Sequence, residues 1–191
     1  MKFFLRLFLV LVTLGMASVG EASDDTYSKA VRVFKEAGQS EAYFSKSYGY
    51  ALFPTVGKGG FVIGGARGTG RVYAGGNYVG DASMTQLSVG LQAGGQAFSE
   101  IIFFQDKRAF TDFTSGNFEF SAQIAAVAIT AGAGASAGTT GNSAGASASD
   151  SAATNVAHGW TKGMAVFTVA KGGLMYEATV GGQKFSYTPR K

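Results

Sequence analysis

The sequence predicts an α+β fold, in which short N-terminal helices pack on a glycine-rich antiparallel sheet. Three observations support this prediction. Apolar residues recur at helical spacing in residues 27–37, short apolar runs of strand character begin at Tyr50, and glycine is concentrated between residues 57 and 70. Dense glycine among strands indicates tight bends or close backbone contacts, so we expect a strongly curved sheet or a partial barrel.

The first predicted helix, residues 27–37, is amphipathic. Its apolar face carries Tyr27, Ala30, Val31 and Phe34, and its polar face carries Lys29, Arg32, Lys35 and Glu36. Asp24 or Asp25 is expected to cap its start and Gly38 to end it.

Two further short helices are expected, at residues 41–47 with Ser40 as the cap and at residues 107–113 with Asp106 as the cap. The Gly75-Gly76-Asn77 sequence indicates a tight turn. In residues 87–93, Leu87, Val89 and Leu91 alternate with small or polar residues, which predicts a strand with the leucines facing inward. The other strands are expected at residues 51–54, 60–65, 71–73, 78–79, 101–104, 118–120, 165–169, 174–180 and 184–187.

Two segments are expected to contribute little to the packed core. Lys2 and Arg6 precede an apolar run, and Gly20 and Ala22 form a small-residue cleavage pattern, so residues 1–22 read as a secretory signal peptide. An uncleaved anchor is the alternative. Of residues 125–154, 26 are Ala, Gly, Ser or Thr. So few large side chains leave little to bury, and we expect a flexible loop at about residues 136–154 inside a single domain of residues 23–191.

Composition restricts the function. The chain has 191 residues, no cysteine, one histidine and a net charge of +4, which falls to +3 without residues 1–22 because these hold two basic residues and one acidic residue. Cysteine-based and histidine-based catalytic or metal clusters are therefore not expected, and neither is a cofactor. The charge is too small to favour nucleic acid but suits an anionic surface. We expect a non-enzymatic protein exported to the periplasm or outer membrane, or secreted.

Two groups of cations are candidate anion-binding residues. Lys29, Arg32 and Lys35 lie on the polar face of the first helix, whose apolar residues either enter the headgroup region of a membrane or pack on the sheet. Lys58, Arg67 and Arg71 stand among the glycines of residues 57–70. Bare backbone N–H groups beside cations can hold phosphate. The alternative is that these glycines only shape the sheet.

A series of separate motifs runs along the chain in a fixed order. These are Tyr48-Gly49-Tyr50-Ala51-Leu52-Phe53-Pro54, the Lys58-Gly59-Gly60-Phe61 turn, Gly64-Gly65 with Gly68 and Gly70, Gln92-Ala93-Gly94-Gly95-Gln96, residues 101–104, Phe113, Gly172-Gly173-Leu174 and Gly181-Gly182. With these motifs the chain resembles, from residue 27 to residue 187, the SYLF family, a lipid-binding domain also described as the actin-binding domain of yeast endocytic proteins.

The resemblance implies phospholipid binding, chiefly to phosphoinositides in eukaryotic members, through the N-terminal amphipathic helix and basic surface residues. It also implies actin contacts, which an exported bacterial protein would not make in its native setting. We therefore expect binding to an anionic phospholipid surface of the cell envelope. The alternatives are a self-assembling glycine-rich β-protein, an integral outer-membrane β-barrel and, least favoured, a small-molecule enzyme. The sequence does not predict an oligomeric state.

Overall fold

The computed structural model of the protein describes residues 23–60, 63–89, 94–120, 127–129, 160–172 and 182–191. Within these ranges there are three helices and eight strands. The helices are α1 (Asp24–Glu36), α2 (Glu41–Lys46) and α3 (Lys107–Phe113). The strands are β1 (Gly49–Gly60), β2 (Ile63–Ala74), β3 (Asn77–Val89), β4 (Gly94–Phe104), β5 (Phe118–Glu119), β6 (Val127–Ile129), β7 (Met164–Gly172) and β8 (Gln183–Pro189).

The strands form one sheet in the order β5-β8-β3-β2-β1-β4-β7-β6. All the pairings are antiparallel except that of β6 with β7, which is parallel. The predicted α+β class with N-terminal helices on a curved antiparallel sheet is confirmed. None of the helices in the described ranges is long and apolar enough to cross a membrane.

The sheet separates two groups of buried side chains. The inner core lies on the face that α3 covers, and it includes Phe53, Met84, Ile102, Phe113 and Phe185. The helix-side core lies on the opposite face, beneath α1 and α2. It consists of Tyr27, Ala30, Phe34, Leu52, Ile101, Phe103, Ala165, Phe167 and Val169. Both faces of the central strands are therefore buried, which explains the unbroken apolar run Ile101–Phe104, where all four residues are fully buried.

The sheet curls until strands that are distant in its order meet across the inner face. Three strands separate β4 from β8, yet Gln183 Nε2 donates to Glu100 Oε2 at 3.0 Å. The rings of Phe53 on β1 and Phe185 on β8 lie 5.7 Å apart. Small inner-face residues on β2, namely Ala66, Gly68 and Gly70, leave room for this closure, since bulky side chains there would hold the two sides apart.

Two glycines of β2, Gly68 and Gly70, are required by close contacts, whereas a Cβ at Gly57 or Gly59 of β1 would meet nothing within 4 Å. No described glycine in β1 or β2 has a positive φ, and Lys58, Gly59 and Gly60 belong to β1, so the described part of the Lys58-Gly59-Gly60-Phe61 segment is strand instead of the predicted turn, while Phe61 lies outside the described residues. A Cβ at Gly70 would lie 2.6 Å from Leu52 O and from the Phe53 ring, beside the irregularity in the β1–β2 register. Positive φ occurs instead at Gly75 and Gly76, which form the predicted turn between β2 and β3.

The predicted strand at residues 87–93 faces the wrong way in its described part, because the side chain expected to point inward points to solvent. Leu87 is 80% exposed, whereas Gln86 is 6% exposed and pairs in register with the buried Gln183 of β8. Gln86 therefore takes the inner position that the alternation had given to leucine. The rest of that strand, residues 90–93, lies outside the described residues, as do residues 1–22, the predicted loop at 136–154 and the predicted strand at 174–180.

The helices lie close to their predicted positions. α1 starts three residues before the expected position, and Ser23 takes the cap position, while neither Asp24 nor Asp25 caps it. Ser40 precedes α2, but its hydroxyl donates to Phe34 O of α1 instead of capping α2. α3 has the predicted bounds, and Asp106 Oδ1 accepts from Ala109 N at 2.8 Å as the predicted cap.

A buried carboxyl group lies inside the curl. Glu100 is fully buried, and burial raises its pKa from 4.5 to about 7. Within the described residues, Glu100 Oε1, Thr168 Oγ1 and Gln183 Oε1 have no hydrogen-bond partner. The protonated carboxyl can donate as well as accept, so this polar cluster is better satisfied when Glu100 is neutral.

We predict that Gly70→Ala destabilises the protein by about 1–3 kcal/mol, because the added Cβ meets backbone and an aromatic ring. Gly57→Ala is the matched control, since a Cβ at this exposed strand glycine meets nothing within 4 Å. Urea denaturation of the two variants measures the difference. Equal stability of Gly70→Ala and wild type would show that the sheet relaxes around the methyl group.

We also predict that Glu100 lowers stability as pH rises. The folded-state pKa lies above the ordinary value, so the folded protein holds the extra proton between about pH 4.5 and 7. The stability that the protonated Glu100 contributes is complete below pH 4.5 and is lost as the pH rises through 7. Glu100→Gln stays neutral, so its free energy of unfolding relative to that of wild type should rise between pH 5 and pH 8, as measured by urea denaturation. Parallel pH profiles for the two proteins would contradict the assigned titration.

Candidate functional site

The predicted helix cations lie on the solvent face of α1. Lys29, Arg32 and Lys35 are all exposed, while Tyr27, Ala30 and Phe34 are buried against the sheet. Lys29 Nζ pairs with Asp25 at 2.6 Å. In this structure the apolar face of α1 therefore packs on the sheet, and the cations face outward.

Lys35 and Arg32 differ from Lys29 in their surroundings. Lys35 Nζ lies 5.4 Å from the Phe44 ring of α2. Neither Arg32 nor Lys35 has a carboxylate within ion-pair distance among the described residues. The two cations therefore remain available to an external anion.

The predicted strand cations do not form one site. Lys58 follows the fully buried Val56 by two residues, so the two share the inner face of β1. Arg67 and Arg71 alternate with the buried Ala66 and Val72, and they lie on the helix side of β2. Arg67 is exposed, whereas Arg71 is 20% exposed and is held by side chains of α1 and the sheet.

Arg71 is the centre of a cluster of aromatic and charged side chains. Its Nη1 donates to Asp24 Oδ1 of α1 at 2.5 Å. Its guanidinium lies 4.3 Å from the Tyr27 ring and 4.8 Å from the Tyr78 ring, and Tyr73 lines the same groove. A guanidinium held by two rings and a carboxylate has little freedom, and it attaches the start of α1 to β2 and β3.

A second arginine reaches the same ring from the end of the described chain. The Arg190 guanidinium lies 4.7 Å from the Tyr78 ring, and its backbone N donates to Val79 O at 2.9 Å. The Tyr78 hydroxyl donates to Asp81 Oδ1 at 2.6 Å. No carboxylate of the described residues pairs with Arg190.

These side chains line an open groove of about 580 Å³ between the start of α1 and the sheet. We call it the Arg71 groove. It is bounded by Asp24, Tyr27, Ser28, Val31, Arg71, Tyr73, Tyr78 and Arg190. Of the residues predicted from sequence to bind anions, only Arg71 lines it. Arg190 and the tyrosines were missed, because their meeting depends on the pairing of β3 with β8 and on the docking of α1.

The pKa shifts of Arg71 and Tyr27 keep the first charged and the second neutral near neutral pH. Burial acts to lower the pKa of Arg71, but the hydrogen bonds with Asp24 and Tyr73 and the charge of Asp24 outweigh it and raise the pKa. Burial raises the pKa of Tyr27 to about 12. Arg71 is thus a permanent cation beside neutral hydroxyl groups, which is suited to binding an anion and not to moving a proton.

Nothing in the described part of the chain has the arrangement of a metal centre, since no group of three or more His, Cys, Asp or Glu side chains gathers there. The single histidine, His158, lies outside the described residues.

Comparison with known proteins identifies the family. The family model Ysc84, described as Las17-binding protein actin regulator, matches residues 85–188, which is more than half of the chain. The chain belongs to the SYLF family. The resemblance found in the sequence is thereby confirmed, and SYLF membership supports lipid binding at the level of the family.

A curated relative is similar to the same chain. Beta cell expansion factor A of Aeromonas veronii is 26% identical over 157 residues, which cover 81% of this chain and 51% of the relative. The chain thus spans about half the length of the curated relative that it matches.

The contacts of Arg71 predict how α1 of this SYLF protein is attached. Arg71→Lys keeps the charge but loses the planar stack on Tyr27 and Tyr78. We expect faster amide hydrogen exchange in residues 24–36, with exchange in β4 unchanged. Arg67→Lys is the control, since Arg67 is exposed on the same strand. If both variants exchange like wild type, the cluster does not hold the helix.

Proposed function

We propose that this SYLF protein is a non-enzymatic protein that binds anionic phospholipid at a membrane surface of the bacterial envelope. One observation carries the proposal. Arg32 and Lys35 lie on the outer surface of α1, and Arg71 and Arg190 line the groove beside its first turn. Four cations thus lie on α1 or beside it, and three of them have no carboxylate partner among the described residues. A negatively charged surface attracts such a group of cations.

The proposed binding begins with charge. Each Lys or Arg near an anionic surface contributes about 1 kcal/mol, so Arg32 and Lys35 provide most of the attraction, and Lys29 adds to it when its pair with Asp25 opens. Insertion of Tyr27, Val31 and Phe34 into the headgroup region would be a second step, because these residues now pack on the sheet or lie against it. The first step needs no change in the protein, and the second requires α1 to leave the helix-side core.

The proposed location follows from residues 1–22. Their basic start, apolar run and Gly20-x-Ala22 pattern favour export and cleavage, with the mature protein in the periplasm, at the outer membrane or secreted. We expect N-terminal sequencing of the exported protein to read from Ser23. An envelope-associated form that retains Met1 would favour the uncleaved anchor.

The lipid preference is tested by co-sedimentation with vesicles. We expect binding to vesicles of phosphatidylcholine mixed with phosphatidylglycerol and weak binding to phosphatidylcholine alone. Binding should fall as salt is raised to 1 M, where the Debye length is only about 3 Å. Equal binding to both vesicles at all salt concentrations would refute the electrostatic mechanism.

Variants assign that binding to α1. Lys29, Arg32 and Lys35 changed together to Gln should weaken it at least tenfold, since Gln keeps the helix propensity but removes the charge. The comparison variant is Lys58→Gln with Arg67→Gln. Arg71 is left unchanged, because it also holds α1 and its loss would affect the helix as well as the strands. We expect this strand variant to bind more tightly than the helix variant, with both shown to be folded by circular dichroism. The reverse order would move the site from α1 to the strands.

A further inference from the structure

The Arg71 groove contains two arginines, and one of the two carboxylates that balance their charge, Asp24, is held only at its exposed side chain. Arg71 and Arg190 both stack on Tyr78, and two like charges against one ring repel unless an anion lies near them. The nearby anions among the described residues are Asp24, which pairs with Arg71, and Asp81, which accepts from Tyr78. With both carboxylates in place, these four groups have no net charge.

The Asp24 side chain is far more exposed to solvent than the arginine with which it pairs. Its side chain is 88% exposed, while that of Arg71 is 20% exposed. Asp24 is the first residue of α1, so a rotation of its side chain removes it from the groove without moving the helix. Because its carboxylate partner is exposed to water, this ion pair contributes little stability, and a competing anion can take the place of Asp24.

We propose that the Arg71 groove binds one phosphate group in the place now taken by the Asp24 carboxylate. With Asp24 turned outward, Arg71, Arg190 and Asp81 leave a net charge of +1. This charge matches the single negative charge of a phosphodiester. The planar donors of Arg71 that now hold a carboxylate suit phosphate oxygens equally, and the groove of about 580 Å³ has room for a headgroup.

This inference rests on the proposed function and gives it a specific site, since a phospholipid headgroup supplies such a phosphate. Free inorganic phosphate offers the same chemistry. Asp24 then acts as a competitor built into the chain, which lowers the affinity of the groove until a phosphate replaces it.

Calorimetric titration of the full chain tests the site, with two probes that distinguish the sources. One is dicaproyl phosphatidylglycerol below its micelle concentration, and the other is inorganic phosphate. Asp24→Asn should bind about two- to fivefold more tightly than wild type, the range expected when an exposed competing carboxylate is removed. Asp25→Asn is the matched control, because it removes the same charge from the same helical turn but pairs with Lys29 instead.

Arg190→Gln tests the second arginine, and we expect at least fivefold weaker binding. Arg108→Gln, which removes an exposed arginine that pairs with Asp106 and Asp112 on α3, should bind like wild type. Tighter binding of phosphatidylglycerol than of inorganic phosphate assigns the site to a lipid headgroup, and equal binding assigns it to free phosphate. Both results support a phosphate site.

Three results would overturn the inference: equal affinities of Asp24→Asn and Asp25→Asn, equal affinities of Arg190→Gln and Arg108→Gln, or no saturable binding of either probe. Vesicle binding that persists in any of these cases leaves the proposed function standing without this site. If phosphate binds saturably in the groove but the protein binds no vesicles, the phosphate site is supported and the proposed membrane function is refuted.

Discussion

The close approach of β1 to the inner face of β2 is the constraint on which the structure depends. A Cβ at Gly68 would lie 2.8 Å from Val56 Cγ2, and one at Gly70 would meet Leu52 O and the Phe53 ring. Because these positions carry no side chain, Phe53 can extend over β2 towards Phe185 of β8. The inner core and the buried Glu100–Gln183 contact both follow from that curl.

The same curl determines what the opposite face can do. Leu52, Ile101 and Phe103 form an apolar surface on the helix side, and α1 and α2 cover it. At the edge of this covered area, Arg71 lies under the first turn of α1 and is surrounded by tyrosine rings. A cation there is stabilised by aromatic faces and by Asp24, so the attachment of α1 and the anion-binding capacity of the groove depend on the same guanidinium.

Local signals predicted much of this fold, and long-range pairing decided the rest. The amphipathic period of α1, the Asp106 cap and the Gly75-Gly76 turn are written within a few residues of sequence, and the structure contains all three. The position of Gln86 is different, because it is buried by pairing with Gln183 nearly a hundred residues later. No local alternation contains that information, and the more apolar Leu87 was placed inward in its stead.

The candidate site shows the same division. Arg71 was identified because it stands among glycines, although the described glycines around it lie in paired strands and its partners come from α1, β3 and the end of β8. The helix cations were identified from their spacing, but spacing does not show which charges remain available.

The exposed face of α1 carries three acidic residues, Asp24, Asp25 and Glu36, against its three cations. Net charge therefore cannot give this helix an affinity for anions. The positions of the charges can, because Asp25 pairs with Lys29 and Asp24 with Arg71, while Arg32 and Lys35 have no carboxylate partner among the described residues. A helix that is neutral in total thus presents its unpaired cations on its outward surface, and the sheet beneath it determines where one of its carboxylates is held.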